Sequence, residues 1–299
     1  MTTSLAIALF AVGAAGLLGW LRFRPLVLRP HGQAPALPPT GFPHDRFERL
    51  LGRFVDGRGR VDYARWYGDA ESRRELDLYL AAVAVCGPAT TPDRFPAEED
   101  RLAYWLNAYN AFVIHGVLHD WPRRRDRADG SSRSRLDRLD FFWRLRFRAD
   151  GRTWSLHALE HRLVRRRFSD PRVHFVLNCA SGGCPVLRPE LPQGPALDRY
   201  LAEAAAEFVS DPANVTVDEG RRSVTLSPLF EWYATDFAND LRRRGLPGAG
   251  DPLAYIAAVA SEHDRSRIER ARAEGYDVAF REYDWSLNDA DTDDARPGA

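Results

Sequence analysis

Glu98-Glu-Asp-Arg-Leu-Ala-Tyr-Trp-Leu-Asn-Ala-Tyr-Asn-Ala-Phe-Val-Ile-His-Gly-Val-Leu118 is the strongest helical stretch of the chain. It is crowded with aromatic side chains. It should end before Pro122, because the residue ahead of a proline, here Trp121, is biased away from helix. Upstream, residues 44–55 place Phe47, Leu50, Leu51 and Phe54 on one helical face, and 75–85 form a second amphipathic segment. Downstream, 123–138 read as a basic, polar loop and 144–155 as a hairpin turning at Asp150-Gly151. Ser155 then caps a helix over 156–166. Residues 173–177 read as a short buried strand, 197–209 as a helix, and 214–217 with 223–226 as a second hairpin. Ser227-Pro228 opens a helix reaching Leu241, 252–260 are helical, and 276–281 form a last strand. Helices outnumber short strands, so the expected fold is α+β: a mostly helical single domain around a small antiparallel sheet, preceded by one N-terminal transmembrane helix.

Composition narrows the function. With 44% hydrophobic residues, 16 Phe, 10 Tyr and 8 Trp, the 299-residue chain has the material for a core and is not a disordered protein. Its 42 basic and 42 acidic residues cancel, which argues against a polyanion-binding role, and no nucleic-acid partner is expected. The arginine runs 123–125, 165–167 and 242–244 read as solvated faces or membrane-surface contacts. Every basic residue is arginine, so Schiff-base and P-loop lysine chemistry is excluded. Three cysteines, Cys86, Cys179 and Cys184, are too few for a disulfide-built scaffold. They leave open one bridge, one reactive thiol or two ligands of a metal site.

Leu5 to Leu21 is uncharged and, as a helix, spans roughly 25 Å. Trp20 sits at its end and Arg22, Arg24 and Arg29 follow, with no charged side chain ahead of it. That order favours an uncleaved anchor over 1–21 rather than a cleaved signal sequence. The positive flank then places the main domain on the cytoplasmic side of the membrane; a cleaved signal would export it. Residues 22–41 form a proline-rich linker, 42–289 the domain, and 290–299 an acidic tail.

Several segments could carry chemistry. Asn107 and Asn110 share one face of the central helix, either as a buried polar network or to orient a catalytic histidine. Glu160 and His161 are adjacent, about 100° apart on a helix, whereas His157 and His161 face together and could begin a metal site. The most informative segment is Val173-His-Phe-Val-Leu-Asn-Cys-Ala-Ser-Gly-Gly-Cys-Pro185. Cys179 stands where the apolar run gives way to a loop, and the amides of Gly182 and Gly183 could form an oxyanion hole for it. A structural pair of sulfurs, or one disulfide with Cys184, is the alternative. Asp236 could orient a histidine, pair with an arginine or stand as a solvated carboxylate.

Together these segments resemble a family known as domain of unknown function 547. The matching stretches are Gly59-Arg-Val-Asp-Tyr63, Leu102-Ala-Tyr-Trp-Leu-Asn-Ala-Tyr-Asn-Ala111, Ser155-Leu-His-Ala-Leu-Glu-His161, His174-Phe through Cys184-Pro185, Leu226-Ser-Pro-Leu-Phe through Asp236-Phe237, and Tyr283-Asp-Trp-Ser-Leu-Asn288. They occur in the family's order. The resemblance implies the extent of the fold; it establishes no activity and leaves the cofactor unknown.

One functional expectation is a membrane-tethered, thiol-dependent hydrolase or transferase. Cys179 is its nucleophile, His161 or His174 its base, Glu160 or Asn107 the orienting group, and Asn110, Ser181, Cys184 and Asp236 form the binding surroundings. If 173–179 is one strand, His174 and Cys179 point to opposite faces, which favours His161 as the base. The alternatives are a non-enzymatic binding or scaffold module, with a small-molecule or peptide ligand, and a metal site built from His157, His161, His174 and the two thiols.

Overall fold

The computed structural model describes residues 24–125 and 140–290. In chain order its elements begin with β1 (Leu26–Leu28), α1 (Asp45–Phe54), α2 (Tyr63–Gly68), α3 (Ala70–Val85) and α4 (Glu98–Arg125). Then come β2 (Leu145–Ala149), β3 (Arg152–Trp154) and a helical stretch over 156–168. The last elements are α5 (Leu197–Ser210), β4 (Val215–Asp218), β5 (Ser223–Leu226), α6 (Leu229–Trp232), α7 (Ala234–Arg243), α8 (Pro252–Val259), α9 (Glu262–Ala273) and β6 (Asp277–Phe280).

Helix α4 is the axis. Every residue from 102 to 114 is buried, so this helix is apolar all round and other elements cover it on all sides. It runs through Pro122 to Arg125 instead of stopping before it. Pro122 lies in the last turn, where its missing N–H removes one hydrogen bond of a long ladder. Helix α1 buries Phe47, Leu50, Leu51 and Phe54, the predicted face.

The sheet differs from expectation. Among the described residues there are two three-stranded sheets, ordered β1-β2-β3 and β4-β5-β6, and both are mixed. Each predicted hairpin is present: Phe147 pairs with Trp154 and Val217 with Val224, both antiparallel. Asp150 and Gly151, at φ 50° and 72°, make the first turn. Each hairpin then gains a parallel third strand from a distant segment, β1 beside β2 and β6 beside β5. Hairpin signals report local pairing only, so neither addition is visible in them. β1 also lies within the stretch read as a linker.

A second correction concerns 173–177. No strand forms there; Pro171–Phe175 is a turn of 3-10 helix, with Pro171 at its start and the Asp170 side chain accepting from the Arg172 N–H at 3.0 Å. A short apolar run is equally compatible with any fully buried backbone. The helix expected over 227–241 is interrupted at Tyr233, between α6 and α7.

The candidate anchor over 5–21 and the tail beyond 290 lie outside the described residues. Among the described residues, no helix is long and apolar enough to cross a membrane.

Gly59 sits in the turn before α2 at φ +73°, and a Cβ there would lie 2.5 Å from Val186 Cγ1 and 2.7 Å from the Leu187 nitrogen. Gly59→Ala should therefore lower stability by roughly 2–4 kcal/mol, from both backbone strain and collision with main chain. A thermal melt of the folded variant reads this directly.

Candidate functional site

The candidate residues gather into two adjacent groups. The first is built on the stretch after β3. Ser155 Oγ accepts from the Ala158 N–H at 3.1 Å, as predicted for a cap, and the helix then widens to a π-helix over Leu159–Arg165. Such widened turns change which side chains share a face. Here Glu160, His161 and Arg165 all project into one polar cluster.

Asp236 Oδ2 accepts from Arg165 Nε at 2.7 Å and from His174 Nε2 at 2.9 Å. The carboxylate thus pairs with an arginine and a histidine at once and is not a solvated group. Burial works to raise the Asp236 pKa, but the hydrogen bonds from His174 and Arg165 outweigh it and hold the carboxyl well below its usual range. Burial lowers the His174 pKa despite Asp236. The His174 ring stacks on Tyr233 at 3.5 Å between centroids. His161 Nδ1 lies 2.6 Å from Arg165 Nη1, and a guanidinium only donates, so this nitrogen is the acceptor. Desolvation, then the neighbouring His157 and Arg165, push His161 down to about 4. His157 and His161 do face together, at 4.1 Å between rings, with Trp143 stacked on His157 at 3.6 Å. Glu160 accepts from the Tyr233 hydroxyl at 3.0 Å and from Tyr109. Burial still raises its pKa.

The second group surrounds the cysteines. Cys179 and Cys184 form a disulfide, so in this form Cys179 carries no free thiol. Its Sγ lies 2.9 Å from Ser181 Oγ and 3.3 Å from the Tyr283 hydroxyl. Cys184 Sγ lies 3.2 Å from the same tyrosine and 3.4 Å from Ser181, and it accepts from the Cys179 N–H at 2.8 Å. A disulfide has no proton to give, so these hydroxyls donate towards sulfur or to each other across 2.8 Å. Burial pushes the Tyr283 phenol pKa up, which keeps it a protonated donor.

The loop between the cysteines is held from two sides. Gly182 N–H donates to Ser286 O at 2.8 Å and Gly183 N–H to Asp284 O at 2.9 Å. The two amides expected to form an oxyanion hole are thus occupied. A Cβ on Gly183 would fall 2.9 Å from the Tyr283 ring, which explains a glycine there. On the other side, Asn110 Oδ1 accepts from the Asn178 N–H at 2.9 Å while its Nδ2 donates to Val176 O at 3.0 Å. Asn178 Oδ1 in turn accepts from Asn288 Nδ2, and the Tyr63 hydroxyl donates to Asn288 Oδ1. Asn107 instead donates to Pro192 O and meets no histidine. Asn110→Ala would strand two buried backbone groups and should cost roughly 2–5 kcal/mol, read as a fall in the denaturant midpoint.

Cys184, Ser181 and Asn178 line a cleft of about 480 Å³ whose other walls include Arg58, Arg60, Arg188, Phe175 and Phe208. Among the described residues, no group of three or more His, Cys, Asp and Glu side chains could hold a metal ion. The metal site expected from His157, His161, His174 and two thiols is not formed. The sulfurs bond each other, Arg165 occupies His161 Nδ1, and Asp236 occupies His174 Nε2.

Sequence reasoning missed Tyr283, Tyr109 and Tyr233 as members of the site. The Tyr283 stretch was recognisable as a motif, but nothing local says that it reaches the cysteines.

Residues 92–209 match a family described as "Protein of unknown function, DUF547". The chain carries a domain of that family. No curated protein and no solved structure matches it.

Proposed function

We propose that this domain carries out thiol–disulfide exchange at the Cys179–Cys184 pair. The observation that carries the reading is the placement of Cys184 on a cleft wall, with two hydroxyl donors within reach of both sulfurs. A thiolate RS⁻ entering the cleft attacks Cys184 Sγ. The Cys179–Cys184 bond breaks as an R–S–Cys184 bond forms, and Cys179 leaves as a thiolate with Ser181 and Tyr283 donating to it. A second thiolate then attacks the mixed disulfide, releasing RSSR and the Cys184 thiolate. Two thiols are oxidised and one protein disulfide is reduced, and the sequence runs equally in reverse.

This reading departs from a Cys179 hydrolase. The Cys179 sulfur meets the hydroxyls of Ser181 and Tyr283, and the neighbouring glycine amides are occupied. A disulfide here also fits a domain exposed to an oxidising compartment, which favours export over the cytoplasmic placement taken from the charge flank.

The test is equilibration of the folded domain in redox buffers of graded potential, followed by alkylation and peptide mapping. Cys179 and Cys184 should become alkylated together over a defined potential range while near-UV circular dichroism is unchanged. Cys86 is 1% exposed and should stay unlabelled. Alkylation of the pair only in step with Cys86, that is, only on unfolding, would make the bridge structural and overturn the proposal.

A further inference from the structure

Aromatic rings gather on the surface beside the sulfur pair. Helix α6 buries Leu229 and Phe230 but leaves Trp232, its last residue, 47% exposed. The segment after β6 brings Tyr283 and Trp285 against it. The Trp232 and Tyr283 centroids are 4.8 Å apart, those of Tyr283 and Trp285 4.5 Å, and those of Trp232 and Trp285 5.9 Å with 26° between the planes. Tyr283 is the link to the chemistry, since its hydroxyl lies 3.3 Å from Cys179 Sγ and 3.2 Å from Cys184 Sγ. Trp232 is thus one ring contact from the residue that touches both sulfurs, a reach of roughly three residues of extended peptide. None of the three rings lines the cleft, whose wall carries another exposed apolar side chain, Val186, two positions beyond Cys184. Charge offers no comparable handle. Arg60 pairs with Asp56, Arg188 with Glu207 and Glu203, and Asp211 stands on the same lining.

Resting on the exchange reading above, we propose that the substrate is a cysteine in an extended polypeptide segment, flanked by an aromatic or large aliphatic residue that docks on Trp232, Tyr283 and Trp285. Two features set this class. The apolar surface continues past the sulfurs to Trp232, farther than a small thiol reaches, so only a chain with residues beside its cysteine can use it. Cys184 is half-buried in a concave wall, which a flexible segment can enter and a flat folded surface cannot. Exposed Trp and Tyr side chains supply large, rigid contact area, and they dominate the energetics of binding surfaces. The cysteine of the segment is the RS⁻ of the exchange, and the bond changes are those already given.

The experiment offers the oxidised full chain two capped peptides of equal charge, Gly-Phe-Cys-Phe-Gly and Gly-Ser-Cys-Ser-Gly, with 2-mercaptoethanol alongside. Reduction of the Cys179–Cys184 bridge is followed by quenched alkylation, and rates are expressed per thiolate. The phenylalanine peptide should react about tenfold faster than the serine peptide, as expected for partial burial of one ring. The ratio should persist in high salt, because it is not ionic. In Trp232→Ala the ratio should fall by about threefold or more; a merely structural tryptophan would alter both rates alike and leave the ratio unchanged. Equal rates for the two peptides, or a ratio that survives Trp232→Ala, would overturn the docking surface and leave exchange intact. No reduction by either peptide or by 2-mercaptoethanol while the protein stays folded would instead overturn exchange itself.

Discussion

A Cys179→Ser variant, offered the oxidised disulfide of a small thiol, is expected to accumulate a mixed disulfide on Cys184 that does not resolve. Cys184 lines the cleft and its sulfur is within reach of three donors, the Cys179 N–H and the hydroxyls of Ser181 and Tyr283. Those donors stabilise its thiolate, so it attacks the incoming disulfide and expels one thiolate. In the unaltered protein Cys179 then attacks Cys184 Sγ and releases the second. Serine at 179 cannot, and intact-mass analysis should show a persistent adduct. The reciprocal Cys184→Ser variant leaves only Cys179, which is half-buried like Cys184 but is not part of the cleft lining, and its adduct should form on the order of tenfold more slowly or worse. Both variants lose the bridge, which closes a short loop, at a cost of about 2 kcal/mol. Equal adduct rates in the two variants would show that the cleft does not distinguish the sulfurs. Tyr283→Phe should raise the thiol pKa of Cys184 in the reduced protein, read from its alkylation rate against pH.

Acid should destabilise the domain steeply, with His44 contributing most clearly. This imidazole is 8% exposed, and its Nδ1 lies 3.0 Å from the Tyr79 hydroxyl. Desolvation pushes it down to about 3 from an ordinary 6.5, against the opposing charge of Asp45. A depressed folded pKa means that the stability is fully present above pH 6.5 and is lost as pH falls towards the folded value. Down to pH 4 the loss from His44 alone is about 3 kcal/mol. His161 and His174 act in the same direction, and Asp236 adds to the loss only below its ordinary value of 3.8, beneath the range of the histidines. Glu160 acts in the opposite sense, because its raised pKa favours the fold at low pH. Denaturant melts between pH 7 and pH 4 should therefore show a falling midpoint, and His44→Gln should flatten the curve. An unchanged slope in that variant would mean that His44 is not buried in its neutral form.

Elements announced by short-range chemistry were legible in the sequence. Asp150-Gly151 turns a hairpin because both residues accept positive φ, and Ser155 caps because its hydroxyl reaches an orphan amide. The face of α1 followed from spacing alone. What escaped was non-local. The parallel strands β1 and β6 pair with partners far away in the chain, and 173–177 looked like a strand because apolar composition records burial, not dihedral angles. The same division holds at the site. Asp236 with an arginine or a histidine, and Cys179 with Cys184, were among the pairings anticipated. The engagement of Gly182 and Gly183 by Ser286 and Asp284 was not, since no spacing in the glycine loop encodes a partner a hundred residues on.

That distant partner has a bearing on biosynthesis. Tyr283 is separated from Cys179 by 104 positions and from Cys184 by 99, and Asn288 joins Asn178 to Tyr63 across separations of 110 and 225. On the ribosome both cysteines emerge well before the tyrosine whose hydroxyl contacts them. A nascent chain halted short of Tyr283 would carry the same six-residue loop with the reactivity of ordinary peptide thiols. The character of the sulfur pair is thus acquired only after the stretch around Tyr283 has been made and closes over a loop synthesised about a hundred residues earlier.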